Sequence, residues 1–212
     1  AGIRLTCAVT KAGGAKCWGT DDEGQLGDGG PAVPIFSPDP VDVVGLSSGV
    51  RQVDVGNFHA CAVLASGGVR CWGRAEEGQL GNRGALIAGE VYEVPYVYDA
   101  TAVAAGWVHT CALTAAGGVK CWGWNDDGQL GDGTTTTRTS PVVVSGLTGV
   151  VAIAAGTNHA LALKGDGTVW AWGNNDYGQL GDATTTGRIV PVRVAGLTGV
   201  VGPNGCGKSN LV

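Results

Sequence analysis

The sequence predicts an all-β protein in which four copies of one short unit stack as the blades of a β-propeller. The string Gly-Gln-Leu-Gly occurs four times, beginning at residues 24, 78, 128 and 178, and each copy follows a Trp-Gly pair. The Trp-Gly pairs are 54, 50 and 50 residues apart, a period typical of repeat architectures. No segment has sustained helical periodicity, and 39 glycines in 212 residues would be costly inside helices.

Each copy divides into four strand-sized apolar runs separated by turn residues. In the third copy these runs are 101–105, 109–113, 119–123 and 141–144. A glycine pair beginning at Gly117 separates the second run from the third and suits a hairpin turn that needs positive φ. A unit of this size cannot bury its apolar faces alone, so we expect neighbouring units to stack face to face.

The repeats set the expected domain organisation. The predicted units are blade 1 (1–50, incomplete at its start), blade 2 (51–100), blade 3 (101–150), blade 4 (151–200) and a tail (201–212) that is not a folded domain. The first copy begins at Gly2 without the strand that precedes Gly56, and the sequence contains no Met. We therefore expect a piece of a longer protein, or an open arc that further blades or a second chain complete.

The residues that recur in order resemble a known repeat. In the fourth copy they are Gly156-x-x-His159-x-Leu161-Ala162-Leu163, Gly167-x-Val169-x-x-Trp172-Gly173-x-Asn175-x-x-Gly178-Gln179-Leu180-Gly181, Pro191-Val192 and Gly196-Leu197. This pattern resembles the repeat of the regulator of chromosome condensation family, whose members form seven-bladed β-propellers. The resemblance covers residue 1 to about residue 200, and it implies that four of seven blades are present.

Composition excludes some partners. The net charge of −5 and the pI of about 5.0 argue against a large basic surface, so we expect no nucleic-acid partner. No run of 18 apolar residues is present, so we expect no membrane span.

Six of the seven cysteines occupy two equivalent positions of the repeat. They form the pairs Cys7 with Cys17, Cys61 with Cys71, and Cys111 with Cys121, each ten residues apart. Folding the third hairpin places Cys111 directly opposite Cys121, where a disulfide can form if the two residues are a non-hydrogen-bonded pair. In the fourth copy both positions change together, to Leu161 and Ala171. Joint loss favours three disulfides.

The alternative is that these cysteines are small buried residues in a reducing cell. Disulfides would place the chain in an oxidising compartment, outside the cell or in the cell envelope. Within the resembled family, this cysteine-bearing version is similar to repeats of secreted or envelope-associated bacterial proteins.

The histidines and the acidic loops are the candidate metal ligands of the sequence. His59, His109 and His159 are equivalent residues a blade apart, so they do not converge on one ion, and we expect each imidazole to satisfy backbone groups near the second strand. The acidic loops around Asp21 and Asp126 lack the spacing of a helix-flanked calcium loop and suit turns instead. We therefore predict no metal site.

The tryptophans fall into two groups. Four of them recur in every copy and are expected to pack between blades: Trp18, Trp72, Trp122 and Trp172. Trp107, Trp124 and Trp170 are each unique to one copy, and we consider them as surface anchors for a partner.

The last residues break the repeat. Gly202, Gly205, Gly207, Lys208 and Ser209 form the string G-x-x-x-x-G-K-S, which is typical of a phosphate-binding loop. The string resembles the first nucleotide-binding motif of the structural maintenance of chromosomes ATPases, which implies ATP and Mg²⁺ as cofactors if the tail belongs to a longer ATPase. The helix that such a loop opens is missing, so we expect no cofactor for this chain.

The sequence favours a non-enzymatic propeller for protein–protein interaction. The repeat core would hold variable loops at residues 29–40, 83–95 and 133–140 as the contact surface, with a partner that the sequence does not identify. The resemblance leaves two alternatives: an exchange factor for guanine nucleotides or an enzyme inhibitor built on the propeller, and a propeller fused to a chromosomal-type ATPase.

Overall fold

The computed structural model describes residues 2, 4–30, 35–83 and 89–197. These residues form fifteen β-strands in four antiparallel sheets, which confirms the all-β propeller fold with four blades. The sheets form an arc and do not close into a ring. The described part of the chain contains no helix, and hence no helix long and apolar enough to cross a membrane.

The blades follow one another along the chain. Blade 1 contains β1 (Leu5–Val9), β2 (Ala15–Thr20) and β3 (Phe36–Asp42). Blade 2 contains β4 (Val50–Val55), β5 (His59–Leu64), β6 (Val69–Gly73) and β7 (Tyr92–Glu93). Blade 3 contains β8 (Ala100–Ala105), β9 (His109–Thr114), β10 (Val119–Gly123) and β11 (Arg138–Val143). Blade 4 contains β12 (Val150–Ala155), β13 (His159–Lys164), β14 (Val169–Gly173) and β15 (Arg188–Arg193).

Each blade is a meander in which consecutive strands pair. The turn between β9 and β10 places Gly117 at a φ of 75°, in the left-handed region that glycine adopts without steric cost. The first strands of the complete blades, β4, β8 and β12, contact one another from blade to blade. These strands therefore lie innermost, around the propeller axis.

One recurring contact, which we call the Trp clamp, joins each blade to the preceding one. The indole Nε1 of Trp72 donates to the backbone oxygen of Gln25 at 3.0 Å. Trp122 donates in the same way to Gln79 at 2.8 Å, and Trp172 to Gln129 at 2.9 Å. All three indoles are fully buried, which confirms that these tryptophans pack between blades.

The clamp explains the Gly-Gln-Leu-Gly string. The leucines Leu26, Leu80 and Leu130 are buried between the blades, and the final glycines Gly27, Gly81 and Gly131 lie against the indole rings. A Cβ on Gly27 would come within 2.6 Å of the Trp72 ring, so any larger residue would separate the blades. The string is therefore a packing element of the blade interface.

The apolar core is divided into three clusters, one for each pair of neighbouring blades. The cluster between blades 1 and 2, for example, joins Leu5 and Leu46 of one blade to Val55 and Trp72 of the next. No cluster is confined to one sheet. This arrangement is expected of units that cannot bury their faces alone.

Polar side chains also tie the inner strands of blades 2 and 3 together. The Gln52 amide donates to the oxygen of Val103 and accepts from its N–H, both at 3.0 Å. The carboxylate of Asp54 accepts from the N–H of Ala105 at 2.9 Å. Burial raises the pKa of Asp54, against the opposing effect of this hydrogen bond. Blade 3 has Ala102 and Ala104 at the equivalent positions, so these ties do not recur towards blade 4.

Candidate interaction face

Because strand direction alternates, the turns after the first strands and the loops after the third strands lie at the same end of every blade. We call this end the loop face and define it by the turns 56–58, 106–108 and 156–158 with the segments 74–79, 124–129 and 174–179. A backbone hydrogen bond joins turn to segment in each blade, as where the N–H of Asn174 donates to the oxygen of Asn158 at 2.8 Å. The sheet thus holds these turns and segments in place.

A cavity of about 430 Å³ opens on the loop face where the inner strands end, a volume in the range of small ligand sites. Its wall is mainly small or apolar and contains Gly2, Gly56, Gly106, Gly156, Val55, Ala105, Ala155 and Trp107, with Asn57 and Thr157 as polar members. Among the described residues, no titratable side chain lines it. The cavity can accept an apolar side chain of a partner.

The histidines lie beneath this cavity, each packed on a glycine. The pairs are Gly56 with His59, Gly106 with His109, and Gly156 with His159, and a Cβ on any of the glycines would overlap the imidazole ring. The Gly-x-x-His spacing of the repeat therefore reflects close packing. Among the described residues, no three His, Cys, Asp or Glu side chains are grouped so as to hold a metal ion.

The prediction that the imidazoles form hydrogen bonds with backbone groups is wrong. The Nε2 of His59 instead meets the Oγ1 of Thr110 in the next blade at 2.8 Å, and the Nδ1 of His59 has no partner. Thr110 donates in turn to the backbone oxygen of Gln79 at 2.9 Å, which also accepts from the Trp122 indole. Histidine, threonine and Trp clamp thus form one buried network between blades 2 and 3.

His109 has no such network. It is fully buried, and neither of its ring nitrogens has a hydrogen-bond partner among the residues that the structure describes. The reason is that Ala160 occupies in blade 4 the position that Thr110 occupies in blade 3. A buried ring nitrogen without a partner is destabilising, so this interface is less well satisfied than its neighbour.

Aromatic side chains stand on the loop face of blades 3 and 4. Trp107 and Trp124 meet edge to face with their ring centroids 6.3 Å apart, and Trp107 is 40% exposed at the rim of the cavity. Tyr177 is 94% exposed on the same face. Trp170 does not join them, because it packs half-buried against the core between blades 3 and 4. Of the three candidate anchors, Trp107 and Trp124 come together.

Carboxylates accompany these rings. The acidic residues of the loop face are Glu76, Glu77, Asp126, Asp127 and Asp176. In the described part of the chain, Glu76 alone among them forms a salt bridge, with Arg74. Asp127 accepts from the amides of Asn158 at 2.9 Å and Asn174 at 3.2 Å, which bridges blade 3 to blade 4. The face is therefore acidic, with its charges held in place but mostly not neutralised.

The buried polar residues of these loops are used internally. The Asn125 oxygen accepts from the N–H of Leu130 at 2.9 Å, and its amide donates to the backbone oxygens of Thr134 and Thr136. In blade 1, Asp21 accepts from Leu26 in the same way at 2.8 Å. Burial raises the pKa of Asp21. These groups stabilise the loop conformation.

A second loop motif is built around an ion pair. Partial burial raises the pKa of Asp132, but hydrogen bonds from Thr134 and Arg138 outweigh this effect and hold it below its usual value. Asp182 and Arg188 repeat the arrangement in blade 4. The predicted contact loop 133–140 is consequently a fixed structure and not a flexible tether.

The six paired cysteines lie in the hairpins, away from the loop face. Cys7 is opposite Cys17, Cys61 opposite Cys71, and Cys111 opposite Cys121, with sulfur atoms at disulfide distance and Cα atoms 4.1 Å apart in each pair. Leu161 faces Ala171 at the equivalent position of blade 4. The phosphate-loop residues Gly202, Gly205, Gly207, Lys208 and Ser209 lie outside the described residues, as do parts of the loops 29–40 and 83–95.

Sequence reasoning missed Thr110 and the role of Gln79 in the buried network. The sequence does contain a signal, because the dipeptide His109-Thr110 stands where the other two copies have His-Ala. Its meaning depends on the fact that His59 faces the next blade and not its own. That direction is a property of blade packing.

Profiles of the regulator of chromosome condensation (RCC1) repeat match most of the chain. One matches residues 16–63, 116–163 and 166–208, and a second matches residues 50–79, 100–129 and 150–179. The chain belongs to this family. The third match of the first profile extends through the phosphate-loop string as far as Lys208.

Similar proteins support the assignment. The mouse secretion-regulating guanine nucleotide exchange factor is 31% identical over 115 residues, which are 50% of this chain and 25% of the exchange factor. The crystal structure of human WBSCR16 superposes with a TM-score of 0.79 at 27% identity, covering 91% of this chain and 52% of that one. The crystal structure of yeast RCC1 (Prp20) bound to Kap60 superposes with a TM-score of 0.78 at 20% identity, covering 91% of this chain and 47% of that one. This likeness shows the shared fold. The chain spans about half or less of each of these proteins.

Replacing Ala160 by Thr is expected to stabilise the protein by about 1 kcal/mol, because the hydroxyl would reach His109 Nε2 and the backbone oxygen of Gln129. Urea unfolding measures the change. His109→Leu, which removes the buried polar ring, should abolish the gain when combined with Ala160→Thr. An Ala160→Thr variant less stable than the parent would contradict the analogy with Thr110.

The buried histidines predict a loss of stability in mild acid. Burial lowers the pKa of His59 to about 4 and that of His109 to about 3. The unfolded chain therefore binds more protons below pH ~6.5, so stability is complete above that pH and falls as the pH drops towards 4, by about 1.4 kcal/mol per pH unit for each histidine. Asp21 and Asp54 have the opposite effect on the pH dependence of stability, because their pKa values are raised in the folded state. Comparing urea midpoints of the parent and His59→Gln between pH 7.5 and 5 isolates one histidine, and identical slopes would disprove its contribution.

Proposed function

We propose that this chain is a non-enzymatic protein-interaction module that binds its partner on the loop face. The observation that carries the proposal is the edge-to-face pair of Trp107 and half-buried Trp124, with Trp107 exposed at the rim of the cavity and Tyr177 exposed on the same face of blade 4. Tryptophan and tyrosine are the residue types enriched in binding hot spots. Among the described residues, the cavity wall is mainly small and apolar, which suits the binding of a partner side chain.

The charges of the face favour a partner that presents lysine or arginine side chains. Carboxylates such as Asp126 and Asp176 form no salt bridge in the described residues, and they flank rings whose faces attract cations. Complementary charge of this kind accelerates association and selects the orientation of the partner. The net charge of −5 adds a favourable field for a basic protein.

Mutation of the aromatic anchors tests this proposal. A partner captured by the parent chain should bind Trp107→Ala and Tyr177→Ala at least about tenfold more weakly, as expected for hot-spot residues. Val143→Ala is the matched control, because Val143 is 65% exposed on the outer strand β11. Biolayer interferometry gives the dissociation constants. Weakening by Val143→Ala and not by the two aromatic variants would place the binding site elsewhere.

A guanine-nucleotide exchange function is the second candidate. The similarity to the mouse exchange factor favours it, and such a protein also acts by binding a protein partner. It requires that the captured partner be a guanine-nucleotide-binding protein and that the chain accelerate release of its labelled GDP. Capture of a partner that binds no nucleotide would support the enzyme-inhibitor or scaffold alternative.

We further propose that the three cysteine pairs are disulfides and that the chain comes from a secreted or envelope-associated bacterial protein. Disulfide bonds of this kind are typical of proteins in oxidising compartments. Alkylation of protein exported to such a compartment, followed by mass spectrometry without reduction, should modify Cys206 alone. Reduction before alkylation is the control and should expose all seven cysteines. Seven reactive thiols without reduction would exclude the disulfides.

We propose that this chain alone does not bind ATP, although Lys208 and Ser209 match the phosphate-loop pattern. Phosphate binding depends on amides fixed at the start of a stable helix, whereas the repeat profile that matches residues 166–208 runs through this string. Calorimetry with Mg²⁺ and ATP should show no binding to the full chain. Micromolar affinity that Lys208→Ala abolishes would instead favour the ATPase alternative.

A further inference from the structure

Two residues on the rim between blades 2 and 3 adopt a backbone conformation that their side chains disfavour. Arg83 has a φ of 64° and Tyr96 a φ of 66°, both in the left-handed region. Blades 1, 3 and 4 have Gly45, Gly146 and Gly196 at the position of Tyr96, each with positive φ. A bulky residue in this region is unusual, and such strain is often associated with binding sites.

The two strained residues contact each other. The Arg83 guanidinium carbon lies 5.2 Å from the centre of the Tyr96 ring, a cation–π contact. Tyr96 is 50% exposed and Tyr98, two residues on, is 63% exposed. We call these three side chains the Arg–Tyr platform. It occurs only in blade 2, since the other described blades have Gly or Ala at the Arg83 position.

Contacts with blade 3 hold the platform in place. The N–H of Arg83 donates to the backbone oxygen of Thr139 at 2.9 Å, and the Lys120 ammonium donates to the oxygen of Tyr96 at 2.6 Å. Both bonds use the backbone of the platform and leave its side chains to solvent. The platform is therefore fixed by two blades while its rings and guanidinium point outward.

The guanidinium of Arg83 is available to a ligand. Within the described residues it forms no hydrogen bond and no salt bridge, although it carries five N–H donors. The Tyr96 ring lies against the guanidinium, whose donors have no partner among the described residues. Lys120 brings a second positive charge to the same place, on a chain whose net charge is −5.

We propose that the Arg–Tyr platform is a second docking site, distinct from the loop face, that binds an acidic side chain of a protein partner. A carboxylate matches the planar donor edge of a guanidinium through two parallel hydrogen bonds, and stacking on Tyr96 keeps that edge oriented. Tyr98, exposed and two residues further along the chain, offers an aromatic ring to the aliphatic part of the same segment. The charge of this site is opposite to that of the loop face, so the two surfaces select different groups.

Glycine variants separate binding from stability. Arg83→Gly and Tyr96→Gly remove the platform and relieve the backbone, and Ala183→Gly relieves the equivalent strained position of blade 4 without touching the platform. All three should raise Tm by about 2–4 °C if each relieves about 1 kcal/mol of strain. A labelled peptide of alternating Glu and Gly should bind the parent and Ala183→Gly equally in fluorescence anisotropy at low salt. Its affinity should fall at least tenfold with Arg83→Gly.

Further variants and peptides test which chemical group the platform recognises. Arg83→Lys keeps the charge and loses the planar fork, so it should bind the Glu peptide several-fold more weakly than the parent. A peptide of alternating Gln and Gly is the neutral control and should not bind. The proposal is overturned if the parent fails to bind the Glu peptide, if Arg83→Gly or Arg83→Lys binds it as the parent does, or if a phosphoserine peptide binds more tightly than the Glu peptide. Because Trp107 and Tyr177 are unaltered, the loop-face proposal stands or falls separately.

Discussion

The hydrogen bond from each buried indole to a glutamine carbonyl of the preceding blade is the constraint on which the stacking depends. A buried indole N–H without a partner would be costly, so the blades can approach only in the orientation that brings the carbonyl into line. The glycine after the glutamine and leucine allows the backbone to lie on the ring, as Gly131 lies on Trp172. The tryptophan of one blade and the Gly-Gln-Leu-Gly string of the preceding blade therefore form one contact. This explains why every copy carries both.

The strand pairing within a blade and the packing of the repeated tryptophans between blades could be predicted from the sequence, and the polar contacts between blades could not. Strand count, hairpin turns and the facing of Cys111 and Cys121 follow from local periodicity and from the symmetry of one turn. The bond between His59 and Thr110 joins residues 51 apart, and it depends on the rotation between two sheets. The contact between Arg83 and Tyr96 lies within blade 2 but was also not predictable, because it depends on positive φ values that neither side chain favours. Periodicity gives no information about the direction in which a buried histidine faces.

The blade interfaces differ although the repeats are similar. Gln52, Asp54 and His59 all reach from blade 2 into blade 3, whereas alanines stand at the first two positions in blade 3 and His109 has no partner in blade 4. In a repeat protein, stability is approximately a sum of blade terms and nearest-neighbour interface terms. The junction of blades 2 and 3 therefore contributes more polar, orientation-specific contacts than the junction of blades 3 and 4.

The contacts at the junctions between blades also affect where the proposed binding surfaces lie. Contacts from the adjacent blade add to those within a blade in fixing a side chain at the surface. The Arg–Tyr platform receives such contacts from Thr139 and Lys120 of blade 3. Asp127 receives them from Asn158 and Asn174 of blade 4. A blade on its own could present the same residues but would not fix their geometry, and preorganised geometry is what reduces the entropic cost of binding. The two proposed binding surfaces therefore depend on junctions between blades and not on a single repeat.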